Sequence, residues 1–194
     1  LDSVEIYEPN YFISIDSILV DDITCYSANN GVISVYASGG LNIEYFKSNG
    51  ITTTSQMTPV FNSVSPDTYV MTVIDFKGCS TSDTLILTQP DSLYIDTTIF
   101  SHVTCNGLSN GSIQNIIAFG GTGSYQYSVN GGPLYSNTAY FNSYGAGTYT
   151  VEVFDDNNCV AQDLIIIDEP SVLNVSITPS SWNNYQIQCN GDNS

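Results

Sequence analysis

The feature that most constrains this chain is a cysteine-centred stretch that occurs twice. Val103-Thr-Cys-Asn-Gly-Leu-Ser-Asn-Gly-Ser-Ile113 echoes Ile23-Thr-Cys-Tyr-Ser-Ala-Asn-Asn-Gly-Val-Ile33 at an offset of 80 residues. An apolar residue, Thr, Cys, then a Gly and an Ile hold the same places in both. A third copy opens at Ile187-Gln-Cys-Asn-Gly191. Self-similarity at a fixed period marks a repeat array, in which each period folds as one unit against its neighbours. The chain is therefore expected to be a slice of such an array. Residues 1–9 would be the last strand of a preceding repeat, 10–90 and 91–170 two whole repeats, and 171–194 the start of a following one.

The cysteines repeat with the pattern. Cys25 and Cys79 lie 54 residues apart, as do Cys105 and Cys159, and Cys189 stands alone. Metal sites use close pairs such as C-x-x-C, and none is present. Two bridges within repeats, Cys25–Cys79 and Cys105–Cys159, with Cys189 paired outside the fragment, explain the odd count. Each would stabilise a unit by roughly 4 kcal/mol in the chain-entropy model. They imply an oxidising, extracytoplasmic setting. Units of about 80 residues are also of the size at which covalent staples help, because they bury only about 60–65% of their unfolded surface.

Charge excludes one large class of partners. Two Lys (Lys47 and Lys77), no Arg and nineteen acids give a net charge of −17. Phosphate binding needs a cationic surface, so nucleic acid is excluded. The negative surface favours solubility and attracts divalent cations. No apolar run is long enough to span a membrane.

Strand signals recur in order within each repeat. A β-rich run follows Asn29-Asn30-Gly31 or Ser109-Asn110-Gly111, where Asn-Gly predicts a tight hairpin turn. A Gly pair (Gly39-Gly40; Gly120-Gly121) precedes the next strand, over Ile43–Phe46 or Ser124–Val129. Phe61 and Phe141 fall at matching places as core anchors. The clearest strands are 68–75 and 148–155, and each leads through a turn to a final strand that Pro90 or Pro170 ends. Leu93 and Ile95, or Leu173, Val175 and Ile177, alternate as a first strand. Turn residues every 8–12 positions and no helical period predict a sandwich of about seven short strands per repeat. Tyr69 and Tyr149, each at the head of a penultimate strand, resemble the tyrosine corner of immunoglobulin-like sandwiches. The fold class is thus all-β, tandem immunoglobulin-like antiparallel sandwiches of about 80 residues.

The whole unit resembles the SprB repeat of gliding-motility adhesins, long surface proteins of Bacteroidetes such as the flavobacteria. The resemblance rests on Cys105-Asn-Gly107, Asn110-Gly-Ser-Ile113, Gly120-Gly121, Tyr125, Tyr127-Ser128, Ala146-Gly-Thr-Tyr149, Asp155, Cys159 and Glu169-Pro170. Residues 25–90 follow it more loosely, with Tyr26-Ser27 in place of Asn-Gly and Pro66-Asp67 in place of Ala-Gly. It implies export by the type IX secretion system and display at the cell surface, attached to the outer membrane. In gliding cells a motor moves such an adhesin along the surface while it grips the substratum or a polysaccharide. Triplets resembling the flavobacterial O-glycosylation acceptor, Asp–(Ser/Thr)–(small or aliphatic), make Ser3, Ser17, Thr84, Ser92 and Thr97 candidates; the alternative is that Asp-Ser and Asp-Thr simply form turns.

No catalytic constellation is visible. His102 is the sole His, and its counterpart in the other repeat is Asp22. No cofactor is expected. Calcium is the metal these residues would suit, with Asp21, Asp22, Asp75, Asp155 and Asp156 as hard oxygen ligands near junctions and turns; the alternative is that these Asp simply form turns. Tyr125, Tyr127, Tyr135, Tyr140 and Tyr144 would make a glycan-binding platform only if they share an exposed face, and strand alternation sends about half of such a set into the core. The expected function is a non-enzymatic segment of an extracellular adhesin filament, whose direct partners are neighbouring repeats. Carbohydrate-binding arrays and passive stalks of secreted enzymes are the competing readings.

Overall fold

The computed structural model describes residues 12–136 and 140–178, and in these every regular element is a strand. The first unit contains β1 (Ser14–Asp21), β2 (Gly31–Ser38), β3 (Glu44–Ser48), β4 (Thr53–Gln56), β5 (Val60–Val64), β6 (Asp67–Ile74) and β7 (Ser80–Leu87). The second contains β8 (Tyr94–Ser101), β9 (Gly111–Phe119), β10 (Gln126–Val129), β11 (Tyr135–Ser136), β12 (Phe141–Tyr144), β13 (Gly147–Phe154) and β14 (Val160–Ile167). In each unit a three-stranded sheet faces a four-stranded one: β1-β2-β5 with β4-β3-β6-β7, and β8-β9-β12 with β11-β10-β13-β14. All pairings are antiparallel. This is the immunoglobulin-like sandwich, present twice. The expected last strand over 1–9 lies outside the described residues, and 171–178 form no strand.

Period-2 alternation places the core. Along β6, Tyr69, Met71 and Val73 point inward while Thr68 and Val70 are exposed. They pack with Ile33, Val35, Phe61 and Leu87. The second unit repeats this around Ile113, Ile116, Val151, Val153 and Ile167, with Phe141 half-buried beside them. Full burial of each such aliphatic side chain contributes roughly 1.5–3 kcal/mol. The two clusters are separate, so each unit carries its own core.

The tyrosine corner is present in both units. Tyr69 Oη donates to Ser65 O at 3.0 Å and Tyr149 Oη to Gly145 O at 3.1 Å, so the same bond closes the turn into β6 and into β13. Burial first, and then the charge of Asp67, raise the Tyr69 phenol above its ordinary pKa and keep it a donor. The Gly pairs also have a steric cause. Gly120 has φ +81°, and a Cβ there would lie 2.0 Å from Ser92 O; Gly39 meets Phe12 O in the same way.

The Asn-Gly expectation fails in an instructive way. Gly31 and Gly111 are not in the left-handed region, and no two-residue turn joins β1 to β2 or β8 to β9. Residues 22–30 and 102–110 form longer loops instead. The glycines are required by packing: a Cβ at Gly31 would lie 2.6 Å from Leu87 Cδ2, and one at Gly111 would lie 2.9 Å from Ile167 Cγ2.

Candidate functional site

The structure concentrates its unusual chemistry at the joint between the units, where a loop of the first meets a hairpin of the second. The loop is held from inside by its own motif. Asn30 Oδ1 accepts the Thr24 N–H at 3.2 Å while Asn30 Nδ2 donates to Thr24 Oγ1 at 2.8 Å. This clamp explains why Thr and Asn keep their places around the Cys. The loop is also latched to the end of its unit. Ile23, buried, donates its N–H to Thr88 O, and Ser27 N–H donates to Gln89 Oε1 at 2.9 Å. Cys25 is thereby presented at the exit end of the first unit.

The opposing hairpin is organised by one carboxylate. Asp155 is buried, and its Oδ1 accepts the N–H groups of Asn157 at 2.9 Å and Cys159 at 2.8 Å. Its Oδ2 accepts Thr122 N–H at 2.8 Å and Thr122 Oγ1–H at 3.2 Å. Four donors around one carboxylate offset the cost of burying its charge. Asp156 ties the same hairpin to Ser124, through Ser124 N–H at 3.1 Å and Ser124 Oγ at 2.8 Å. Gly121 N–H donates to Asp91 O, so the hairpin sits at the end where the chain enters the second unit.

Loop and hairpin meet in a disulfide between Cys25 and Cys159, with Cα atoms 5.6 Å apart and 134 residues between them in sequence. Asn157 Nδ2 donates to Thr24 O at 2.9 Å across the joint. The bonded Cys159 sulfur, which carries no proton, rests 3.4 Å from the same oxygen. A shallow gap beside it is lined by Asp22, Thr24 and Pro90 of one unit and Thr122 and Asn157 of the other. Cys79 and Cys105 are exposed free thiols.

This pairing overturns the expected bridges Cys25–Cys79 and Cys105–Cys159. The reason is the length of the sandwich. Ile23 is bonded to Thr88 at the far end of β7, whereas Cys79 directly precedes the first residue of β7. Eight residues of strand, at about 3.3 Å each, put roughly 26 Å between the two cysteines' ends of the unit, and a disulfide needs Cα atoms within about 7 Å. The equal spacing of 54 records equal placement in equivalent units and not a bond. Cys189 lies outside the described residues.

The other singled-out residues are dispersed. Asp22 Oδ1 accepts Thr88 N–H at 2.8 Å, and Asp75 Oδ1 accepts the N–H groups of Lys77 and Cys79, each at 2.9 Å. Asp21 is exposed at the end of β1. Asp22, Asp75, Asp155 and Asp156 thus act as turn and loop acceptors. Among the described residues no three His, Cys, Asp or Glu side chains converge as a metal site. His102 does in the second unit what Asp22 does in the first: its Nδ1 accepts Asp168 N–H at 2.9 Å. The Asp168 carboxylate is 3.9 Å from that same nitrogen, with both side chains more than half exposed. A nitrogen accepting an N–H bond holds no proton of its own, so the contact is read as the hydrogen bond.

Ser17, Thr84, Ser92 and Thr97 are all exposed, and Ser3 lies outside the described residues. The tyrosines divide. Tyr127 is buried, and Tyr125 donates its hydroxyl to Gly120 O at 2.7 Å. Tyr135, Tyr140 and Tyr144 line an open groove with Phe141 and Asn142. The corresponding positions of the first unit are Ser55, Val60, Val64, Phe61 and Asn62, so the aromatic groove is not part of the repeat. The repetition of the cysteines does not reveal the joint, because it fits a bond within a unit and one between units equally.

Residues 97–134 match the family model described as the SprB repeat. The match runs from within β8 to just past β10, in the unit whose motifs are the more regular. The comparison with curated proteins gives no match. Among solved structures, a C-terminal 282-residue fragment of intimin, in complex with the intimin-binding domain of the translocated intimin receptor, is similar at 16% identity and a TM-score of 0.43. The similarity covers 79% of this chain and 64% of that one.

Proposed function

We propose that this chain, whose residues 97–134 match the SprB repeat, is a repeat segment of a cell-surface adhesin and that its work is mechanical: it is a load-bearing stalk for attachment and gliding. The observation that carries this reading is the disulfide across the joint. A pull arriving at Cys25 passes through the bond to Cys159 and bypasses the 134-residue interval. At about 3.3–3.6 Å per extended residue, that interval would otherwise release roughly 450 Å of slack on unfolding. Small interfaces between domains ordinarily permit relative motion; the covalent bond, the Asn157–Thr24 hydrogen bond and the short Thr88–Asp91 connection hold this one. In this reading, export through the type IX system, the motor and the gripping surface belong to other parts of the protein. The exposed Ser17, Thr84, Ser92 and Thr97 are where sugar would be carried.

An array that binds carbohydrate at every repeat is less well supported. The aromatic groove at Tyr135, Tyr140 and Tyr144 has no aromatic counterparts at Ser55, Val60 and Val64. The stalk reading is tested with beads carrying antibody to this chain, followed by light microscopy on live cells of the source organism. Beads that bind and travel along the cell are the expected result. Bound beads that stay put would reduce the reading to passive attachment, and absence of binding on cells that express the protein would remove surface display.

A further inference from the structure

We propose that the joint is a repeating docking surface, and that Cys79 and Cys105 are its two unfilled halves, each taking another copy of this unit. The inference stands on the joint's geometry and is independent of the adhesin reading.

Both halves are already built. The Asp75–Cys79 hairpin repeats the bonds that the Asp155–Cys159 hairpin makes within itself. Asp75 N–H donates to Cys79 O as Asp155 N–H does to Cys159 O, and each Asp Oδ1 accepts from the residue two positions on and from the Cys. Cys79 thus stands where a preceding unit's loop cysteine would reach it. At the other end, Asn110 clamps Thr104 as Asn30 clamps Thr24, at 3.1 and 2.7 Å. Glu169 Oε2 accepts Gly107 N–H at 2.6 Å, as Gln89 accepts Ser27 N–H. The loop carrying Cys105 is therefore fixed in the same pose as the loop carrying Cys25.

The surface around Cys105 is the first joint with its partner removed. A cleft there is lined by Thr104, Cys105, Asn106, Pro170 and Leu173. Shifted by one period of 80, these are Thr24, Cys25, Tyr26, Pro90 and Leu93, of which Cys25, Tyr26 and Leu93 line the filled joint beside Cys159. The occupant that fits is a unit bearing an Asp-x-x-x-Cys hairpin. The bond forms when the Cys105 thiolate attacks a disulfide oxidant, a small-molecule or protein disulfide, giving a mixed disulfide and one released thiolate. The hairpin cysteine of the docked unit, as thiolate, then displaces the second oxidant sulfur. Two thiol protons go to the two leaving thiolates, and the oxidant takes up the two electrons.

The consequence is an interlocked chain. Cys105 lies inside the loop that Cys25–Cys159 closes, so successive staples overlap. Tension then has two covalent routes in parallel. One runs through the Cys25–Cys159 bond, the other through the stretch from Cys79 to Cys105 and the bonds at its two ends.

The test lengthens the full chain by inserting a further copy of residues 10–90 after Pro170, with Cys79→Ser in the original unit and Cys25→Ser in the inserted one. The protein is oxidised in glutathione buffer, digested with chymotrypsin without reduction, and its linked peptides are identified by mass spectrometry. Chymotrypsin is chosen because Lys47 and Lys77 offer trypsin too few sites. The expected links are Cys25–Cys159, which also serves as the internal standard of correct folding, and Cys105 to the Cys79 of the inserted copy. With Cys105→Ser added, that Cys79 becomes maleimide-reactive while Cys25–Cys159 persists. A Cys105–Cys159 link would overturn the proposal, as would a Cys105–Cys189 link or a free Cys105 thiol in protein that keeps Cys25–Cys159.

Discussion

The hairpins ending at Cys79 and Cys159 share their internal hydrogen bonds, and so do the loops holding Cys25 and Cys105. Yet Cys159 is buried and bonded while Cys79 is exposed and free, and Cys25 is half-buried while Cys105 is exposed. The difference shows that each unit finishes its own folding, down to the bonds that aim its cysteines, and leaves their environment to its neighbour. Local structure here is a property of the repeat; covalent closure is a property of the pair.

The most direct way to break the comparison is to make both joints alike by opening the filled one. Reduction, or Cys25→Ser, leaves two intact cores and removes the bypass. In single-molecule pulling, the contour length released on unfolding should increase by about 450 Å, the extended length of the interval between the cysteines. In denaturant the reduced chain should be less stable than the oxidised one by up to about 5 kcal/mol, the chain-entropy value for a loop of this size. An unchanged contour increment would mean that load does not pass through the bond.

Substituting the organising carboxylates separates folding from joining. Asp155→Ala strands the N–H groups of Thr122, Asn157 and Cys159, and Asp75→Ala strands those of Lys77 and Cys79. Asp155→Ala should destabilise its unit by about 2–3 kcal/mol, since the buried Cys159 N–H and the half-buried Thr122 N–H are left unpaired; Asp75→Ala, whose donors belong to exposed residues, should cost about 1–2 kcal/mol. Only Asp155→Ala should also lower the yield of Cys25–Cys159, read by titrating free thiols after refolding. A finer contrast comes from the loop clamps. Asn30→Ala and Asn110→Ala should each cost about 1 kcal/mol in the melting of their unit. Asn30→Ala alone should slow formation of the bridge, because it loosens the loop that presents Cys25.

Much of the fold could be read in the sequence because long strands carry alternation. The run from Thr68 to Ile74 announces both its secondary structure and its buried face, and Tyr69 at its head announces the corner. The short strands escaped for the converse reason: Thr53–Gln56 is wholly polar, and Tyr135–Ser136 is only two residues. Asn-Gly at the start of β2 and β9 misleads because the glycine is there to admit Leu87 and Ile167, long-range contacts that no local pattern contains. The disulfide was hidden by the repetition itself. Separations of 54 and 134 differ by one period, so a regular array gives the same evidence for a bond within a unit and for one to the next. Only the length of β7 decides between them.

The smallest predicted effect probes how far equivalent positions in the two units are interchangeable. His102 and Asp22 differ in charge, size and chemistry, yet each accepts one backbone N–H at the foot of its unit, at 2.9 and 2.8 Å. If the site requires only an acceptor, His102→Asp should change stability by no more than about 0.5 kcal/mol, the range of ordinary surface substitutions. His102→Ala should cost about 1 kcal/mol, the net value of one hydrogen bond. The pair is measured by urea denaturation at neutral pH. Equal losses for Asp and Ala would show that the imidazole ring, which meets Phe100 edge-on at 5.4 Å, matters for its packing and not for its lone pair. In that case the two units share geometry at this position without sharing a mechanism.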